Sequence, residues 1–128
     1  MRKTICALLM MVVSLPAFCA WKLTEILADG SHLYYDPATI EHQGNFARVW
    51  ELVDLPALNK VGRLSYRDRS EYDCSAHRQR VIRSESYLTH MASGTPHDVD
   101  ENSGDDVEWF AYFPGSRAEK MVKIVCGK

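Results

Sequence analysis

Beyond residue 20 the chain alternates between apolar and polar positions, and only near its end does the spacing become helical. Trp21, Leu23, Glu25 and Leu27 alternate with Lys22, Thr24 and Ile26, which predicts a first strand stopping at Asp29-Gly30. Ser31 to Asp36, with Leu33, Tyr34 and Tyr35, predicts a second strand ended by Pro37. Pro37 to Ile40 reads as a turn or a short helical piece, and Gln43-Gly44-Asn45 supplies a tight reversal. The strongest strand follows. It places Phe46, Trp50 and Leu52 on one face and Ala47, Val49 and Val53 on the other, a pattern expected of a central strand covered on both sides.

After a loop from Pro56 to Gly62, period two returns between Arg63 and Cys74. Ser65, Arg67, Arg69, Glu71 and Asp73 form a face expected to be solvated, while Leu64, Tyr66, Tyr72 and Cys74 point toward the core. Arg78 to His90 predicts a fifth strand. Its apolar positions Val81, Ile82, Tyr87 and Leu88 do not hold one phase, so a bulge is expected near Arg83. The polar stretch from Ala92 to Asp106 reads as a mobile loop, and Val107 to Phe113 as an aromatic-rich sixth strand.

Ser116-Arg117-Ala118-Glu119 is a capping box, in which Ser116 and Glu119 can satisfy the first free amides of a helix. Ala118, Met121, Val122, Val125 and Cys126 then recur at helical spacing as one apolar stripe. Strands in series followed by a helix predict an α+β fold: an antiparallel sheet of about six strands with a C-terminal helix packed on it.

The first twenty residues read as a secretory signal rather than as fold. Arg2 and Lys3 precede an apolar run from Ile5 to Val13, then Pro16 and small residues suited to cleavage after Cys19 or Ala20. The run is shorter than the ~20 residues that cross a bilayer, so no transmembrane segment is expected. Bulky Phe18 directly before Cys19 disfavours lipidation. The domain expected is therefore 21–128, exported to the periplasm or the outer-membrane surface. Within it only Cys74 and Cys126 remain, and a lone pair in an oxidising compartment is most simply a disulfide, here one that staples helix to sheet. A metal pair or a redox couple are the alternatives, without CxxC spacing to favour either.

Removing Arg2 and Lys3 takes the formal charge from −2 to −4, which argues against nucleic-acid binding. Arg63, Arg67, Arg69, Arg78, Arg80 and Arg83 nevertheless gather in the two middle strands. Pairing with Asp68, Glu71, Asp73 and Glu85 on a wet face is the plainer reading. The sharper one is a basic binding ridge centred on Arg67, Arg69, Arg78 and Arg80, suited to acidic glycans or acidic protein loops.

Candidate chemistry is thin. His32, His42, His77, His90 and His97 form no i, i+4 or HxH pair, and no cofactor or metal is expected. The acidic segment from Asp98 to Asp106 echoes the start of a calcium loop, but Gly104 falls one place late and Trp109 stands where a glutamate would be needed. No GxSxG elbow or phosphate-cradling glycine pattern occurs, so no enzyme activity is expected.

The order and spacing of Trp21, Tyr34-Tyr35-Asp36-Pro37, Val49-Trp50, Leu52, Asp54, Ser65, Asp73-Cys74, Gly94, Trp109, Pro114-Gly115-Ser116, Glu119 and Val125-Cys126 resemble the surface-adhesin protein E family of Gram-negative bacteria. The resemblance spans essentially the whole expected domain. It implies about six antiparallel strands with a C-terminal helix locked against them by the cysteine pair. It also implies, for some members, surface binding of host matrix or plasma proteins such as vitronectin, laminin and plasminogen, and homodimers. The matched positions are core, turn and cysteine positions, so they transmit fold more than ligand. A different class of function remains open, a periplasmic inhibitor or envelope accessory protein of the lysozyme-inhibitor kind.

Overall fold

A computed structural model describes residues 20–102 and 107–127. The expected signal segment, with Cys19 and the lipidation reading, lies outside the described residues apart from Ala20, as do Asp105 and Asp106 of the acidic segment. No helix among the described residues is long and apolar enough to cross a membrane.

Seven antiparallel strands form one sheet: β1 (Lys22–Ile26), β2 (His32–Gln43), β3 (Phe46–Asp54), β4 (Ser65–Asp73), β5 (Arg78–Tyr87), β6 (Asp98–Glu101) and β7 (Phe110–Ala111). The first six lie side by side in chain order, and β7 also pairs with β5. A helix, α1 (Arg117–Cys126), follows and lies across one face.

Four sequence expectations are corrected in detail. Pro37 does not end β2. Instead four residues, 37–40, stand opposite Val49 between the pairs Asp36 with Trp50 and Glu41 with Arg48. The hydroxyl of Thr39 accepts the Trp50 amide at 3.0 Å and donates to the Asp36 carbonyl at 2.7 Å, so a side chain replaces the missing ladder bond and the strand continues. The polar stretch after Ala92 is not all loop, because Asp98–Glu101 adds β6 to the edge of β5. The sixth strand expected over 107–113 shrinks to two residues, Phe110 and Ala111. Finally the two faces of β3 are covered unequally: α1 packs on one, while on the other Arg67 and Arg69 lie over Trp50 and a short 3-10 turn, His90–Ala92, bonds Asp54.

The core lies under the helix. Tyr35, Ala47, Val49 and Tyr72 from three adjacent strands pack on Ala118, Met121, Val122 and Val125, all buried. Ser116 Oγ accepts the Glu119 amide, and Glu119 in turn accepts the Gly115 amide, closing the first turn of α1. Cys74 and Cys126 form a disulfide with Cα atoms 5.7 Å apart, tying the last turn of α1 to the end of β4. Closing a loop of 52 residues stabilises the fold by about 4 kcal/mol through lost unfolded-state entropy.

Candidate functional site

The face opposite the helix carries the arginines. Cross-strand pairing sets Phe46, Arg48, Trp50 and Leu52 of β3 beside Asp73, Glu71, Arg69 and Arg67 of β4, all on this open face. On β5 the register breaks: Arg69 pairs with Arg83 and Ser70 with Val81, leaving Ile82 as the extra residue of a bulge. The bulge falls where the loss of phase in the sequence placed it. It shifts the alternation by one, so that Arg83, Arg80 and Arg78 all reach the open face.

Three carboxylates lie beneath this layer, nearly inaccessible: the side chains of Glu71, Glu85 and Asp73 are 3%, 3% and 5% exposed. Glu71 accepts from Arg48 Nε at 2.6 Å through one oxygen and from Arg80 Nε at 2.8 Å through the other. Glu85 is used in the same way by Arg67 and Arg83, each at 2.9 Å, and also takes the Tyr87 hydroxyl at 2.6 Å. Asp73 binds Arg78 at 3.0 Å. Burial alone would raise the carboxyls of Glu85 and Asp73. The bonds from Tyr87, Arg83 and Arg67 to Glu85, and from Ser75 and Arg78 to Asp73, outweigh it and hold both below the usual carboxylate range.

Two tryptophans complete the lattice. Arg67 and Arg69 lie 4.3 and 5.8 Å from the Trp50 ring centre, and Arg78 and Arg80 lie 4.5 and 4.3 Å from that of Trp109. Trp109 stacks in turn on Phe46. Each guanidinium is thus fixed from below by a carboxylate, from the side by an indole, or by both. The rim is acidic and exposed, with Glu41 bonded to Arg69 and Glu101 to Arg83.

The structure brings Arg67, Arg69, Arg78 and Arg80 together, and Arg83 joins them. Arg63 departs: it bonds Ser86 and Asp98 at the β5–β6 edge. Asp68 departs too. Its register partner is Glu51 on the helix side, where it accepts the Ser84 hydroxyl at 2.5 Å, so the expected pairing of the arginines with Asp68 does not occur. Arg48 was not among the arginines gathered from the sequence. The signal for it was its shared phase with Trp50 on β3. Trp109 could not be placed from sequence, since it precedes a strand of only two residues.

One further concavity runs beside the disulfide between Tyr112, Glu119 and Val122. There His77 Nδ1 lies 2.9 Å from the Tyr112 hydroxyl. Burial raises the Tyr112 phenol, helped by Glu119 and Asp73. Among the described residues neither side chain of the pair bonds a third side chain, so nucleophile, base and orienter are not assembled there. Among the described residues no cluster of three or more histidine, cysteine or acidic side chains is placed to hold a metal. What the arginine face can do is bind anions in a fixed geometry.

Comparisons agree on the architecture. The family model for surface-adhesin protein E matches residues 21–127. Crystal form II of Haemophilus influenzae protein E superposes with a TM-score of 0.59 at 14% identity, over 74% of this chain and 80% of that one. The selenomethionine form gives 0.60 at 12% identity, over 83% and 86%. Protein E from non-typeable Haemophilus influenzae gives 0.57 at 12% identity, over 82% and 75%. At these identities the likeness is one of fold. No curated protein sequence matches.

Proposed function

Because the chain belongs to the surface-adhesin protein E family, we propose that it is an exported binding protein without catalytic activity, which engages extracellular or envelope proteins through the arginine face of its sheet. The observation that carries this reading is the immobilisation of five guanidinium groups over three buried carboxylates. A surface whose charges are already fixed loses little side-chain entropy when a partner docks. Export follows from the signal-like segment, with cleavage after Cys19 or Ala20 leaving an unlipidated domain in the periplasm or at the outer-membrane surface.

The test is a pull-down of matrix and plasma proteins by the purified domain, repeated with Arg67→Gln/Arg69→Gln and with reduced, denatured protein. Retention by the native domain alone, weakened in the arginine variant, is the expected result. No retention across the panel, together with inhibition of lysozyme, would replace this reading by the inhibitor one. Mass spectrometry of the mature N-terminus decides lipidation.

A further inference from the structure

Resting on the reading that the open face is the binding surface, we propose that what it recognises on its protein partners is a linear glycan carrying sulfate groups, lying along the line of guanidiniums from Arg67 to Arg78. Charge arithmetic at two of the three buried carboxylates is the first ground, the third, Asp73, being matched one to one by Arg78. Glu71 is shared by Arg48 and Arg80, and Glu85 by Arg67 and Arg83, so each group of three carries one positive charge in excess. Those carboxylates lie under the arginines, and the outermost layer over the middle of the face is therefore cationic although the whole chain is acidic.

Spacing is the second. On β4 the same-face positions 67, 69, 71 and 73 repeat every ~7 Å and together span ~20 Å. A compact anion touches one or two of the guanidiniums that cluster over these positions; a polymer with charges at regular intervals touches them in series. Arg48 and Arg78 are the most open, with side chains 39% and 41% exposed, and both hold their carboxylates through Nε. The terminal N–H pair of a guanidinium is the fork that suits a tetrahedral oxyanion.

The same lattice disfavours single-stranded nucleic acid, which is held by bases stacking on free aromatic faces. Here both indoles are covered by guanidinium. The rim supplies a built-in competitor. Glu41 and Glu101, each 65% exposed, cap Arg69 and Arg83 in surface pairs that are weak and screened. A multivalent chain can displace them, and a single carboxylate cannot do so with profit.

Immobilised heparin is the probe, with the mature, disulfide-bonded domain. The expected result is retention at low salt and elution as salt rises. Arg48→Gln/Arg78→Gln should weaken binding roughly tenfold or more and lower the slope of log affinity on log salt by about two. Glu41→Gln/Glu101→Gln removes only exposed acids and should tighten binding, which keeps the test valid if the arginine variant unfolds. Equal binding of desulfated heparin, no retention at low salt, or indifference to both variant pairs would each overturn the proposal. Failure with heparin while a protein pull-down still depends on Arg67 and Arg69 would overturn the glycan and leave the binding face standing.

Discussion

Arg80 and Arg83 project from the same face of β5 although two residues, Val81 and Ile82, stand between them, because Ile82 is the extra residue of a bulge. The Ile82 carbonyl is not wasted; it accepts the Asn102 amide at 3.0 Å just beyond β6. Deleting Ile82 would turn either Arg83 or the pair Arg78 and Arg80 to the helix side and strip guanidinium partners from a buried glutamate. The expected cost is at least about 3 kcal/mol, read by urea denaturation, since one-sided loss of a buried ion pair falls in that range. A deletion variant with unchanged stability would contradict this account of the bulge.

The disulfide fixes the last turn of α1 to the end of β4, beside the apolar stripe that packs the helix on the sheet. Cys74→Ser/Cys126→Ser is expected to lose about 4 kcal/mol and to melt roughly 15–20 °C lower. Thermal melts with and without reductant measure it, and the wild-type domain under reductant should match the double variant.

Asp68 sits on the helix side near Glu51 and Arg117. Burial raises its carboxyl above the ordinary value of 3.8, against the opposing effects of Ser84 and Arg117. The native state therefore keeps a proton that the unfolded chain has released, and stability falls as pH rises from the ordinary value through the raised one. Above that range the penalty is constant. Asp68→Asn should raise the melting temperature at neutral pH, and the gain should vanish below the ordinary carboxylate range. A gain that grows on acidification would reverse the sign of the argument.

Glu85 and Asp73 behave oppositely, held below their ordinary values by their guanidinium and hydroxyl partners in spite of burial. Their contribution is complete above the unfolded-state pKa and is lost as pH falls through the folded one. Glu85→Gln should lower stability at neutral pH by about 1–3 kcal/mol. Melting temperatures followed from neutral to acid pH should show the difference from wild type shrinking as acid protonates Glu85.

Ser116 accepts the Glu119 amide at the start of α1. Ser116→Ala is expected to cost about 1 kcal/mol by denaturant titration, with an unchanged dependence on denaturant.

Local chemistry wrote much of this molecule into its sequence. Period-two alternation marked β3 and β4, the apolar stripe and Ser116–Glu119 box marked α1, and broken phase at Val81 and Ile82 marked the bulge. These features depend on neighbours in the chain, so the order of residues suffices. Other features needed the third dimension. Pro37 fails to end β2 because a hydroxyl two residues later satisfies Trp50 across the strand gap. Asp98–Glu101 becomes a strand only because β5 offers an unpaired edge. Arginines scattered over three strands gain a common purpose only when register sets Arg48 beside Glu71 and Arg67 beside Glu85. Sequence determined which residues could alternate, cap and cross-link; the tertiary structure decided which charges share a carboxylate, because that choice is fixed by pairing between strands and not by position along any one of them.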